Sequence, residues 1–176
     1  MSGAGDVEVG EVVPSDLTAR FGLLALMNPR QPGPSSVTTA AAGHLAAGGR
    51  VLLVMEHCKN SCWGDAEGDN ALLTALGSDM RLSGTGGAPL SQTALEVTPV
   101  PGITDGVSSL VVYYSGSVDV GSGVALGRVP AGDVVIGYQA VGGGEVIVVA
   151  DSSMFGYVLD AGDNRQFVLD LATLGR

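Results

Sequence analysis

Short apolar runs separated by glycine-rich turns are the feature that most restricts what this chain can fold into. Five such runs are present: Leu23 to Met27, Val51 to Met55, Leu110 to Tyr114, Val134 to Ile136 and Val146 to Ala150. Runs that are apolar at every position are typical of central strands in a sheet covered on both faces. None approaches the roughly 18 apolar residues of a membrane-spanning helix, so no membrane insertion is predicted. A more alternating segment, Val7 to Val13, predicts a strand nearer the sheet edge.

Helix signals lie between and after these runs. The predicted helices run from Ser35 or Ser36 to Gly48, from Asp69 to Leu76, and from Asp163 or Asn164 to Gly175. Ser, Asp and Asn cap helix starts, and glycine commonly follows helix ends. Strand and helix alternate at the front of the chain, which predicts parallel βαβ units with right-handed crossovers.

Residues 79–141 have a different pattern, with Gly, Pro and Ser turns between short apolar runs. This pattern predicts antiparallel β-hairpin structure added to the parallel sheet. The expected fold is therefore a single α/β domain over residues 1–176. It is a three-layer sandwich with a mostly parallel sheet and extra β-hairpin structure in 79–141.

Two longer passages and one short segment resemble the glutamine-amidotransferase-like superfamily. The first is HLAAGGRVLLVMEHCKNSCWGDAEGDNALLTALGSDMRL, in which a helix ending in Gly-Gly precedes an apolar strand, a polar loop and a Leu-rich helix. The second is VGGGEVIVVADSSMFGYVLDAGDNRQFVLDLATL, where a strand ends in Asp-Ser and Asp-Asn opens the last helix; the short one is TPVPGITDGVSSL. The resemblance covers roughly residues 20–174 and implies a flavodoxin-like fold. It also implies that the family's first βα unit is missing here, so we expect a fragment of a longer protein.

Cys58 follows a buried strand, where the resemblance places the amidotransferase nucleophile on a tight turn. That turn needs flanking glycines and a downstream histidine. Here the neighbours are His57 and Lys59, and no histidine follows residue 57, so amidotransferase activity is not expected. Cys62 lies four residues further on, and in a loop the two cysteines can close a local disulfide. The pair fits an extracytoplasmic or secreted disulfide, which we favour, or two free thiols in the cytoplasm.

Polar residues at the strand ends form the predicted ligand rim. Ligands of open α/β sheets gather at the carboxyl ends of parallel strands. The rim candidates are Glu56, His57, Trp63, Asn70, Asp151 and Ser152. For Trp63 two interpretations stay open: packing over the loop, or stacking on a sugar or a protein partner.

Metal and cofactor motifs are weak. Glu56, Asp65 and Asp151 supply oxygens of the kind that Ca²⁺ prefers, although no interval matches a D-x-D-x-D-G loop. The cysteine spacing is not that of a zinc ribbon, and no glycine turn has the residues of a nucleotide-binding loop. We therefore predict no cofactor and keep Ca²⁺ as a minor alternative.

The net charge of −10, with Lys59 as the only lysine, leaves no basic surface for nucleic acid. The leading hypothesis is a non-catalytic binding or assembly module that contacts a protein partner or other domains of a larger chain. An exposed sheet edge would also permit a homo-oligomer. The alternative is a hydrolase-like enzyme that uses Glu56 and Asp151, with or without a cation.

Overall fold

The computed structural model describes residues 21–27, 35–59 and 61–173. Its strands are β1 (Leu23–Met27), β2 (Arg50–Val54), β3 (Arg81–Ser83), β4 (Gln92–Val97), β5 (Leu110–Tyr113), β6 (Ser117–Asp119), β7 (Val124–Arg128), β8 (Val134–Val141) and β9 (Gly144–Val149). Its helices are α1 (Ser35–Ala46), α2 (Ala66–Ala75) and α3 (Asn164–Ala172), with a 3-10 turn at Ser152–Phe155. The predicted strand Val7–Val13 lies outside the described residues.

Seven strands form one curled sheet in the order β1-β2-β9-β8-β7-β4-β5. Only β1–β2 and β2–β9 pair in parallel, and the other four neighbouring pairs are antiparallel. The prediction of a mostly parallel, flavodoxin-like three-layer sandwich is therefore wrong. The segment 79–141 is no addition to a parallel sheet, since it provides four of the seven strands.

The β8–β9 hairpin shows why the direction changes. Val141 pairs with Gly144, so only Gly142 and Gly143 connect the two strands. Gly142 has a φ of 61°, which suits a tight hairpin turn. A two-residue turn can join only antiparallel strands, whereas a parallel pair needs a long crossover. The five residues between Arg128 and Val134 likewise join β7 and β8 as an antiparallel pair.

The core is centred on β2 and β9. All five residues of β2 are buried, as are Val146 to Val149 of β9. Helix α2 begins at a cap in which the Gly68 N–H donates to Asp65 Oδ1 at 3.1 Å. Its inward face buries Leu72 and Leu73. Burying a leucine or valine contributes about 1.5–3 kcal/mol each, so this layer contributes much of the stability.

A separate two-stranded sheet, β3–β6, packs against β8. The contact is close at Gly137, where an added Cβ would lie 3.0 Å from Met80 Sδ and 3.1 Å from Val118 Cγ1. A side chain there would require Met80 and Val118 to shift by a few tenths of an ångström, so glycine suits the approach of the two sheets.

Arg50 connects the start of β2 to the end of α3. Its side chain is buried, and it donates to Glu145 Oε2 at 2.8 Å and to the carbonyl oxygens of Asp170 and Leu171 at 2.9 and 3.0 Å. These carbonyls belong to the last turn of α3, where the Asp170 carbonyl also accepts from the Thr173 N–H at 3.2 Å. One guanidinium therefore satisfies both a carboxylate and a helix end.

We expect Arg50→Met to lower the free energy of unfolding by about 2–4 kcal/mol, because the buried acceptors lose their donors. Urea denaturation measures the change. The matched control is Arg165→Met, which removes an ion pair with Asp160 whose side chains are 63% and 80% exposed. That change should stay below about 0.5 kcal/mol. Equal effects of the two substitutions would contradict the role assigned to Arg50.

The topology brings several strand ends to one side of the sheet. β1, β2 and β9 are parallel, so their carboxyl ends share an edge. From β9 to β5 the sheet makes four antiparallel pairings, and four reversals restore the original direction. The carboxyl end of β5 therefore lies on the same side, which we call the carboxyl edge. In the described ranges no helix has the length and apolarity to cross a membrane.

Candidate functional site

Asp151 connects the ends of β9 and β5 through hydrogen bonds at the carboxyl edge. It is fully buried two residues after the end of β9, its Oδ2 accepts from the Tyr113 N–H at 2.7 Å, and its Oδ1 accepts from the Ser153 N–H at 2.8 Å. Burial raises the pKa of Asp151 to about 6, and the amide hydrogen bonds from Tyr113 and Ser153 oppose that rise. Because both oxygens are engaged, this carboxylate positions β5 against β9.

Glu56 and Ser152 meet across the β2–β9 pair. Glu56 Oε1 accepts from the Ser152 N–H at 3.0 Å and also from the Ser152 hydroxyl. The charge on Glu56 is one of the smaller causes that raise the pKa of Asp151, after burial. The sheet thus brings together the two carboxylates predicted from the strand ends, and both already have protein donors.

His57, Lys59 and Tyr114 form a second group of side chains in contact, which begins directly after Glu56 in the chain. The His57 and Tyr114 rings are 4.2 Å apart between centroids, and Lys59 Nζ lies 4.9 Å from the Tyr114 ring centroid. Lys59 Nζ also donates to the Ala88 carbonyl at 2.5 Å. Burial lowers the pKa of Lys59, and the nearby Asp133 carboxylate opposes this. A cation over an aromatic face contributes about 0.5–1 kcal/mol at a partly exposed site.

Tyr114 has an uncommon backbone conformation. Its φ is 57°, and it is the one non-glycine residue with a positive φ in the part of the chain that the structure describes. A non-glycine residue in this region costs roughly 1–2 kcal/mol. The Tyr114 N–H donates to the Pro89 carbonyl at 3.1 Å, so the conformation is held by backbone as well as ring contacts. Such strain is typical of positions where the direction of a side chain matters.

Cys58 and Cys62 form a disulfide in the loop that follows β2, which is one of the two alternatives that the sequence left open. The Cys58 N–H donates to the Gly84 carbonyl at 2.7 Å. An added Cβ on Gly84 would lie 2.5 Å from Cys58 Cβ, so only glycine permits this approach. The disulfide loop is thereby anchored to the loop between β3 and β4.

Two exposed aromatic residues, Trp63 and Tyr157, contact residues of the carboxyl edge. Trp63 is 52% exposed and Tyr157 is 73% exposed, and the Tyr157 ring meets the Tyr113 ring edge-on at 5.2 Å. The Trp63 N–H donates to the His57 carbonyl at 3.0 Å. We call this set the aromatic rim, and its members are His57, Trp63, Tyr113, Tyr114 and Tyr157. Leu90, 62% exposed in the loop before β4, belongs to the same edge.

Two of the predicted site residues, Asn70 and Asp65, have structural roles instead. Asn70 donates to the Leu82 carbonyl at 2.9 Å and accepts from the Leu82 N–H at 2.7 Å, so it holds β3 against α2. Asp65 caps α2. Among residues 21–27, 35–59 and 61–173, no three His, Cys, Asp or Glu side chains lie together in a way that could hold a metal ion.

Sequence reasoning missed Lys59, Tyr114 and Tyr157. The run Tyr-Tyr-Ser-Gly at the end of β5 was the local signal, because it places two aromatic side chains where an apolar strand ends. The positive φ of Tyr114 has no such signal. It depends on contacts with Pro89 and His57, which are distant in the chain.

No protein-family model matches this chain, and no curated protein matches its sequence. Solved structures do match. An IFT52 N-terminal domain is 15% identical, with 88% of this chain and 79% of that chain covered and a TM-score of 0.64. Cytoplasmic Protein STM1381 from Salmonella typhimurium LT2 is 12% identical, with coverages of 86% and 71% and a TM-score of 0.65. A β-galactosidase from Bacillus circulans sp. alkalophilus is 14% identical, with coverages of 85% and 22% and a TM-score of 0.55.

These matches, at such low identity, concern the fold alone. They overturn the predicted membership of the glutamine-amidotransferase-like superfamily, since the matching folds are those of IFT52 and STM1381. The mostly antiparallel sheet agrees with the correction. The motifs behind the resemblance were short glycine-flanked strand and helix units, which many α/β chains share.

Proposed function

We propose that this chain is a non-catalytic binding module that contacts a protein partner through the aromatic rim. The observation that carries the proposal is the position of Trp63 and Tyr157. Both are large, more than half exposed, and located at one edge of the sheet together with Leu90. Exposed apolar side chains gathered on one side are typical of interaction surfaces, and Trp and Tyr dominate the energetics of many interfaces.

The polar groups behind the rim support a binding role over catalysis. Both oxygens of Asp151 accept amide hydrogen bonds, and Glu56 Oε1 is bonded to Ser152. A general acid or base must reach a substrate proton, and groups engaged in this way serve first as a frame. The disulfide and the Asp151 bonds give the rim a rigid base, which lowers the entropy lost on binding.

We also propose that the module belongs to a larger protein. Support comes from the β-galactosidase match, in which a fold of this kind forms 22% of a longer chain. For location we propose an extracytoplasmic compartment, because a local disulfide persists most readily there. Fractionation of cells that produce the full-length protein tests this point, and recovery only in the cytosolic fraction would reject it.

Binding should depend on the rim side chains. With a tagged chain as bait, partners are captured, identified, and then titrated as purified proteins. Trp63→Ala and Tyr157→Ser should each weaken binding at least tenfold, a loss of about 1.4 kcal/mol. Leu169→Ala is the matched control, since Leu169 is 55% exposed on α3, whose end lies by the start of β2. Equal losses in the rim and control variants would reject the rim as the binding surface.

The hydrolase alternative and self-association are separated by two further measurements. Glu56→Gln should leave partner affinity unchanged, whereas any hydrolytic activity lost in that variant alone would favour the enzyme. Sedimentation equilibrium detects a homo-oligomer. If Trp63→Ala converts an oligomer into a monomer, the partner is a second copy of this chain.

A further inference from the structure

The Cys58–Cys62 disulfide has one anchored sulfur and one accessible sulfur. Cys58 is half-buried, and its N–H is bonded to the Gly84 carbonyl at 2.7 Å. Cys62 is exposed to solvent. A thiolate from solution therefore reaches the Cys62 sulfur more easily than the Cys58 sulfur. In thiol exchange, the accessibility of each sulfur is one of the factors that set the rate at which it is attacked.

We propose that this disulfide is a reversible thiol-exchange site whose redox state sets the conformation of the aromatic rim. The reacting partner is a small-molecule thiol or a protein dithiol. The exchange itself does not depend on the binding role proposed above. The proposal extends from the bond to the rim because the two cysteines are flanked by rim residues, His57 before Cys58 and Trp63 after Cys62.

The chemistry needs two thiols and transfers two electrons. A thiolate attacks Cys62 Sγ, the bond to Cys58 breaks, and Cys58 leaves as a thiolate that takes a proton from water. A second thiolate then attacks the external sulfur of the mixed disulfide, and Cys62 leaves as a thiolate that is also protonated. The products are the protein dithiol and one external disulfide. Oxidation runs through the same steps in reverse.

The surroundings accommodate the reduced state. The Gly64 carbonyl oxygen lies 3.0 Å from Cys62 Sγ and 3.5 Å from Cys58 Sγ. In the dithiol each sulfur carries a hydrogen, and a thiol is a weak donor to such an oxygen. The reduced cysteines thus have an acceptor already in place, which favours reversible opening over unfolding.

Within the rim, Tyr114 is the residue that links the disulfide loop to β5. Its φ of 57° is maintained while the His57 ring and the Lys59 ammonium lie against it, and both residues adjoin Cys58. With the crosslink open, the segment that carries them has more conformational freedom. The backbone of Tyr114 then relaxes from its positive φ, and the rings of the rim rearrange with it.

The emission wavelength of Trp63 reports on the conformation of the rim, because Trp63 is the only tryptophan in the chain, whereas its emission intensity also responds to the adjacent disulfide bond itself. The folded protein is equilibrated in mixtures of reduced and oxidised glutathione, and two quantities are followed: alkylatable thiols by mass spectrometry and the wavelength of Trp63 emission. We expect two thiols to appear together with an emission change, at one shared midpoint, and both to reverse on reoxidation. The Cys58→Ser/Cys62→Ser double variant should show the reduced-state emission at every glutathione ratio.

The single variants test which sulfur reacts. Cys58→Ser leaves exposed Cys62 and should form a mixed disulfide with oxidised glutathione several-fold faster than Cys62→Ser. A native protein that keeps its disulfide in excess reduced glutathione would overturn the exchange site. Thiols that appear with no change in Trp63 emission would overturn the link to the rim. Neither measurement contains a binding partner, so either result is independent of the proposed binding function.

Discussion

Asp69→Asn is expected to stabilise this protein above about pH 7 and to leave its stability nearly unchanged below about pH 4. Asp69 lies on the inward face of α2 and is only 1% exposed. Neither of its carboxylate oxygens accepts a hydrogen bond from any residue that the structure describes. An ionised carboxylate in such a place has lost its water and gained no donor.

The pH dependence follows from the pKa of Asp69. Burial, with a smaller contribution from the charge of Asp65, raises this pKa from 3.8 to about 7. Below pH 3.8 the Asp69 carboxyl is protonated in both the folded and the unfolded chain, so it does not make the free energy of unfolding depend on pH. Between the two values the unfolded chain has released its proton while the folded protein retains it, and stability falls as pH rises. Above about pH 7 the loss is complete, at roughly 4 kcal/mol.

Thermal and urea unfolding of both proteins across this pH range measure the difference. Asn has nearly the shape of a protonated Asp but does not ionise, so the variant should lack this part of the pH dependence. Asp163→Asn is a control of opposite sign. Hydrogen bonds from Ser108 and Ser109 lower the pKa of Asp163, so its removal should destabilise the protein more as pH rises. A constant difference between Asp69→Asn and the native protein at all pH values would contradict the prediction.

Gly87→Ala is expected to lower the free energy of unfolding by roughly 3–5 kcal/mol. Gly87 has a φ of 67°, and an added Cβ would lie 1.8 Å from the Gly116 carbonyl oxygen and 2.5 Å from Ser115 Oγ. The positive φ accounts for about 1 kcal/mol of the loss, and the remainder comes from forcing two loops apart. These loops meet next to Tyr114, so the substitution should also alter the rim.

Gly106→Ala separates the two contributions. Gly106 has a similar φ of 72°, but no atom lies within 4 Å of the position of an added Cβ. That variant should lose only about 1 kcal/mol, as expected from backbone conformation alone. Urea denaturation compares the two directly. Equal losses of stability in the two variants would show that the close approach of the loops at Gly87 adds nothing to the cost of the positive φ.

Much of the local structure could be predicted from the sequence. The apolar runs at Leu23–Met27 and Val146–Ala150 are strands to within a residue or two. All three helices occur close to their predicted positions, but the predicted cap of α2 is wrong: the helix begins at Ala66 with Asp65 as its cap, and Asp69 lies inside it. The cysteine pairing and the position of Glu56 and Asp151 at strand ends were also accessible. Each of these depends on neighbours within a few positions along the chain.

The site was predictable only in part, for reasons visible in Asp151 and Asp69. Both are aspartates near element ends, and both have a raised pKa because they are buried. Asp151 meets the Tyr113 amide, 38 positions away, whereas Asp69 meets no donor among the described residues. No local pattern distinguishes these two situations. Tyr114 is similar, since its φ reflects contacts made by distant loops.

The sequence by itself determined most of the segments that form strands and helices, and which polar residues follow them, although it missed β3 and the start of α2. It did not determine the direction or order of the strands. An apolar run satisfies the same burial whether its neighbour is parallel or antiparallel, and only the length of the connection and the packing of the whole sheet decide between them. The aromatic rim exists because four antiparallel reversals return the end of β5 to the side where β2 and β9 end. That arrangement is a property of the tertiary structure alone.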